Sequence, residues 1–317
     1  MESTTPAKPD FSNKVFAKDE RFWLNYLEGR PTAPKSFFDR IYRYHEEHRG
    51  HFDTVHDVGA GNGPYAKELR LKFSHVIVSD IAAENVALAQ ERLGDDGFQY
   101  RVSRLEDADD IPPGSVDMVF ATNVLHFCDQ GAAMRALARQ LRPGGTFACA
   151  SFGSAYFADE KVQEIYTRIG RAGARLLLKT LDDPERLLRA MDRTDGAYNV
   201  APLDEKLFMP GAQRVDLNMP ERGMLSPLPP EMEVAERDES HVKQSDVLIQ
   251  EEEDGWRFSM DIGQIKAHIE TFPFGKDVAT ELSPLWREME DLVQDRRIDG
   301  HWPAKVILAT RAEASVE

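Results

Sequence analysis

Residues 54–153 switch repeatedly between two periodicities, and that alternation restricts the fold more than anything else in the chain. Five short β-rich runs (TVHDV, HVIVSD, FQYRV, VDMVFA and TFACASF) are separated by helical stretches such as YAKELRLKF, AENVALAQERL and AAMRALARQL. Strands alternating with helices form a parallel sheet covered on both faces. RPGG at 142–145 ends a helix and turns the chain into the fifth strand. The expected class is α/β, doubly wound around a mostly parallel sheet.

The flanks are less regular. Residues 1–18 are polar and proline-dotted and read as a mobile arm. Two amphipathic segments separated by RPTAP follow. In the second, Phe37, Phe38, Ile41 and Tyr42 recur at helical spacing, with Gly50 as a stop. After residue 153 the rhythm breaks. Residues 159–193 read as helical, and 198–255 as an irregular stretch rich in proline and acids in which QRVDLNM and DVLIQ have strand character. FSMDIGQIKAHIETF and ATELSPLWREMEDLVQDRR read as helices and AKVILATR as a closing strand. The expected organisation is an arm (1–18), a core with entry helices (19–153), an inserted cap (154–255), and a C-terminal part (256–317) that completes the core.

Charge and cysteine usage exclude several classes. The net charge is −16, from 55 acids against 39 bases. A nucleic-acid binder shows a basic face, so no nucleic-acid partner is expected. The two cysteines, Cys128 and Cys149, are too few for a disulfide scaffold and suit a reducing compartment. They lie in no metal-ligand spacing, and no metal is expected. No apolar stretch approaches the roughly 18 residues of a membrane span, and the N-terminus has no apolar signal region. The expectation is a cytoplasmic protein without a membrane partner; nothing bears on oligomeric state.

The first β-rich run leads into VHDVGAGNGPYAKEL, where Asp57 precedes Gly59, Gly61 and Gly63. A glycine loop between strand and helix brings backbone N–H groups and a helix N-terminus to the carboxyl edge of the sheet, where ligands bind. A dinucleotide fingerprint needs G-x-G-x-x-G; here Pro64 holds the last position and the third glycine comes one residue early. G-x-G-x-G behind an acid suits a ligand without phosphates that carries a cationic end.

DVGAGNG resembles the first motif of class I S-adenosylmethionine-dependent methyltransferases. VIVSD, VSRLEDADDIPPGSVDMVFA, TNVLHF and LARQLRPGG resemble that family's later motifs and follow in its order. The upstream YLEGRPTAPKSFFDRIYRYH is similar to the entry segment of small-molecule members such as trans-aconitate methyltransferases. The resemblance covers roughly residues 20–153. It implies a seven-stranded Rossmann-like sheet with an inserted cap and S-adenosylmethionine as cofactor.

Residue by residue, the resemblance gives the cofactor the loop Asp57, Gly59, Ala60, Gly61 and Asn62, the acid Asp80 with Ile81 for the ribose, and Leu105 and Glu106 for adenine. Asn123, Tyr26 and Arg30 fall to the methionine part, Arg30 because a guanidinium fork suits a carboxylate. The sequence departs from the family at Arg104 and Leu105, where an acid often stands. His126 is the candidate base and also a candidate substrate contact. Trp23, Tyr26, Phe127 and Trp302 are candidate substrate walls. The implied activity is methyl transfer to an oxygen, hydroxyl or carboxylate, of a small molecule. A cyclase or isomerase that keeps the cofactor without transfer, and a non-catalytic cofactor-binding regulator, fit the same motifs, because function lives in the site and not the fold.

Overall fold

The computed structural model describes residues 20–313 except 49, 182, 195–197, 222, 226–227, 233–238, 273 and 275–280. The expected arm at 1–18 lies outside the described residues.

The alternating region folds as its periodicity dictates. Strands β1 (Thr54–Val58), β2 (His75–Asp80), β3 (Phe98–Val102), β4 (Val116–Thr122) and β5 (Leu141–Phe152) all run parallel. Every residue of β4 is buried, as in a strand covered on both faces. RPGG makes its turn as an outward bulge: pairing of β4 with β5 jumps from Val116–Leu141 to Met118–Thr146, expelling 142–145 from the ladder. Helices α1 (Glu20–Gly29) and α2 (Lys35–Glu47) precede the sheet. In α2 the residues Phe37, Phe38, Ile41 and Tyr42 are buried, each such side chain contributing roughly 1.5–3 kcal/mol over exposure. Helices α3 (Ala66–Arg70), α4 (Ala83–Leu93) and α5 (Gln130–Gln140) connect the parallel strands.

Beyond residue 153 the chain departs from a simple cap. Helices α6 (Glu160–Thr180) and α7 (Pro184–Thr194) come first, after the short strand β6 (Tyr156–Phe157). Then β7 (Gln213–Leu217) and β8 (Val247–Glu251) enter the main sheet. The segment 154–255 therefore supplies two core strands and is not an inserted cap throughout. The physical reason is that Val215 and Leu217 are fully buried, and the charge of Arg214 is neutralised inside by Asp246 at 2.7 Å.

Strand β9 (Arg257–Met260) occupies the start of a segment expected to be helical. Helix α8 (Ile262–Glu270) begins only after it, at a capping box of Asp261 and Gln264. Helix α9 (Ser283–Val293), β10 (Ile298–His301) and β11 (Ala304–Thr310) close the chain.

Among the described residues the main sheet has eight strands in the order β3-β2-β1-β4-β5-β11-β7-β8, with β8 added to the seven expected. Only β11 opposes the direction of the rest. A small antiparallel sheet β6-β10-β9 stands apart. Strand order reverses between β1 and β4, which opens a crevice at their carboxyl ends.

Candidate active site

The loop after β1 takes up the conformation its glycines permit: φ is +61° at Gly59, +57° at Gly61 and +69° at Gly63, values that side chains disfavour. Backbone and side chains of β2 hold it. Ala60 N–H donates to the Ser79 carbonyl at 2.9 Å, and Gly61 N–H to Asp80 Oδ2 at 2.9 Å. The other oxygen of Asp80 accepts from Ala82 N–H (2.9 Å) and Asn85 Nδ2 (3.0 Å). Arg92 of α4 donates to the carbonyls of Asn62 and Gly63 and ties loop to helix.

The bare backbone serves protein side chains first. A β-carbon at Gly59 would overlap Val124, and one at Gly61 would overlap the Trp23 ring. The ledge expected to receive a ligand directly above Gly61 is therefore taken by the indole, whose Nε1 donates to Asn85 Oδ1 at 3.0 Å. Trp23, expected as a substrate wall, packs against the glycine loop and lines the cavity there.

A cavity of about 340 Å³ begins beside this indole and follows the crevice. Tyr26, Arg30, Gly59, Ala60, Gly61, Asp80, Ile81, Leu105, Glu106 and Asn123 all line it, as do Trp23, His126 and Phe127. Three expected site residues do not. Asp57 and Asn62 sit behind the loop, buried. Trp302 directly follows β10 of the small sheet and is packed against Phe258 and His268, at ring separations of 4.7 and 4.9 Å. Phe152, Leu187, Met191, Met224, Phe272 and Phe274 also line the cavity and give it an apolar wall. The sequence reading missed this wall, since α7 and the segment after α8 carry no motif.

Several lining side chains are already engaged. Arg30 donates from Nε to Thr271 Oγ1 (2.7 Å) and from Nη1 to the Gly153 carbonyl (3.1 Å), clamping α1 to the exit of β5 and the end of α8. Glu106 accepts from Asp129 N–H at 3.0 Å and closes the loop after β3 onto α5. Asn123, at φ +52°, accepts from Phe152 N–H at 2.9 Å and fixes the exit of β4.

Burial sets the charge states. Asp57 has both carboxylate oxygens buried without a partner. Burial, with Asp80 nearby, pushes its pKa up to about 8 against a smaller opposing pull from Arg92. Burial also raises Asp80, opposed by the N–H groups it accepts from. His126 is pushed down to about 3, first by burial and then by the Arg193 guanidinium. It is therefore neutral at ordinary pH.

The residues fit the cofactor the motifs imply. An acid ends β2 at the cavity, and a loop of glycines held at positive φ lies beside it at the sheet's switch point.

Comparison with known proteins agrees. The methyltransferase-domain family matches residues 56–149. A methyltransferase of Claviceps purpurea is 94% identical over the full length of both chains. Methyltransferase AacuQ of Aspergillus aculeatus is 57% identical over 95% of this chain and 97% of its own. Methyltransferase gedG of Aspergillus terreus is 49% identical over 99% of each. A structure from Anaeromyxobacter dehalogenans described as a type II methyltransferase shares the fold, with a TM-score of 0.54 at 19% identity over 89% of this chain and 97% of that one. With glycine loop, β2 acid and sheet order in place, the chain belongs to the class I S-adenosylmethionine-dependent methyltransferases.

Proposed function

We propose that this chain transfers a methyl group to an oxygen of a small molecule bound at the apolar wall of the cavity. The observation that carries the reading is continuity: one cavity runs from Asp80 and the glycine loop to the wall of Phe152, Leu187, Met191, Met224, Phe272 and Phe274. S-adenosylmethionine, when bound, supplies an electrophilic methyl group on a sulfonium. Asp80 and Ile81 would hold its ribose and Leu105 its base. The aromatic and aliphatic wall excludes water and aligns the acceptor, and alignment alone can remove several kcal/mol of barrier. With its pKa held low by burial, His126 is a weak proton acceptor, which favours an acceptor oxygen that is already ionised, a carboxylate or an acidic hydroxyl, over one that must give up its proton to a base.

The test incubates the protein with S-adenosylmethionine and a panel of small aromatic acids and phenols, reading product mass and S-adenosylhomocysteine. One added methyl with equimolar S-adenosylhomocysteine supports the reading. A product of unchanged mass would make this a cyclase or isomerase, and tight cofactor binding without turnover across the panel a regulator.

A further inference from the structure

His126 is aimed by an apparatus outside the cavity. Its Nδ1 lies 3.3 Å from the hydroxyl of Tyr198, which is fully buried and forms no part of the cavity wall. That leaves Nε2 as the ring nitrogen on the cavity side. Tyr198 is held at φ +50° and Ala201 at +67°, both in the left-handed region that costs of order 1–3 kcal/mol for a residue with a side chain. Such a corner persists only when its surroundings impose it, and here they do. The buried Arg214 donates to the carbonyls of Val200 (2.9 Å) and Ala201 (3.3 Å) while paired with Asp246 at 2.7 Å. From the other side, Arg193 of α7 donates to the carbonyls of His126 (3.1 Å) and Cys128 (2.8 Å), fixing the backbone of the turn that carries the imidazole.

The hydrogen-bonding partners decide which way the protons point. The Tyr198 hydroxyl also neighbours the Cys149 thiol. The phenolic proton then has two places to go, a ring nitrogen or a sulfur. An imidazole nitrogen is the far better acceptor, and a buried thiol that keeps its own proton has little to offer. With Tyr198 donating to Nδ1, the imidazole carries its proton on Nε2.

We propose that Tyr198 is a positioning residue: it locks His126 in the Nε2–H form, so that His126 offers the acceptor a hydrogen-bond donor and not a base. The proposal rests on the methyl-transfer reading of the cavity. A neutral donor suits that chemistry: it orients an anionic oxygen without adding a second cation beside a sulfonium.

Nitrogen-15 correlation spectra of histidine-labelled intact protein test it, with the His126→Gln variant identifying the His126 signals among the nine histidines. In the wild type His126 should show a protonated Nε2 and an unprotonated Nδ1 throughout neutral pH. In Tyr198→Phe, which keeps the ring and loses only the donor, the signals should move to the Nδ1–H form or to a mixture. A wild-type Nδ1–H form, or a Tyr198→Phe spectrum identical to wild type, would overturn the proposal. These spectra need no ligand, so they fail independently of the cofactor reading, which calorimetry with S-adenosylhomocysteine decides.

Discussion

The outer edge of the Trp23 indole occupies the space that a β-carbon of Gly61 would fill, joining the entry helix to the glycine loop. It does so through a relay: Trp23 Nε1 to Asn85, Asn85 to Asp80, and Asp80 back to the Gly61 N–H. Loop, β2 acid and α1 therefore respond together.

Gly61→Ala should destabilise the protein by more than about 1 kcal/mol, because φ is +57° and the methyl meets the indole. Adding Trp23→Ala should recover the steric part and leave the conformational part. A double-mutant cycle by urea denaturation measures both; strictly additive effects would show that the ring is not what the methyl strikes.

Binding near Asp80 should disturb the indole. Titration with S-adenosylhomocysteine should change intrinsic fluorescence in the wild type, and Trp23→Phe should remove most of that change. The remaining tryptophans, 256, 286 and 302, are absent from the cavity wall. An undiminished signal in the variant would place the response elsewhere.

Asp80→Ala removes an acceptor used by two backbone N–H groups and by Asn85. Each bond lost to a charged group is worth about 1.5–3 kcal/mol, so both folding stability and cofactor affinity should fall. Calorimetry at a temperature where the variant stays folded separates the two. Unchanged affinity would remove Asp80 from the cofactor site.

Asp57 should make the protein less stable as pH rises. Its folded pKa is raised from 3.8 to about 8, so between those values the unfolded chain has lost a proton that the folded chain keeps. Stability falls across that window and levels off above it; below pH 4 both states are protonated and the penalty is absent. Asp57→Asn should therefore be more stable than wild type at pH 8, with the gap closing toward pH 4. Urea midpoints across pH give the answer, and a wild type more stable at pH 8 would contradict the assignment.

Asp246→Asn breaks an ion pair whose side chains are 0% and 2% exposed. Leaving a buried guanidinium without its partner costs about 3–5 kcal/mol. The thermal midpoint should drop sharply, and the His126 signals should broaden as the corner at 198–201 loosens. A midpoint within a degree or so of wild type would show the pair to be dispensable.

Local patterning was enough for the half of the molecule where neighbours in sequence are neighbours in space. The five parallel strands, the loop with its glycines and the acid at the end of β2 could be read from period and punctuation, because a βα unit writes its own boundaries; the roles of Asp80 and of positions 105, 106 and 123 came from the resemblance to a family's motifs. The remainder depended on contacts between distant segments. That β7 joins the main sheet follows from pairing with β11, nearly a hundred residues away, and β8 joins by pairing with β7; the strand character of both runs could be read, their place in the sheet could not. Trp302 looks like any other aromatic near a strand until the end of β10 packs it against Phe258 and His268. Tyr198 and Arg193 have no motif at all; Tyr198 matters because the buried Arg214–Asp246 pair holds its corner beside His126, and Arg193 because α7 brings it to the His126 and Cys128 carbonyls. Side-chain direction is set by where the backbone is forced to go, and for these residues only long-range packing forces it.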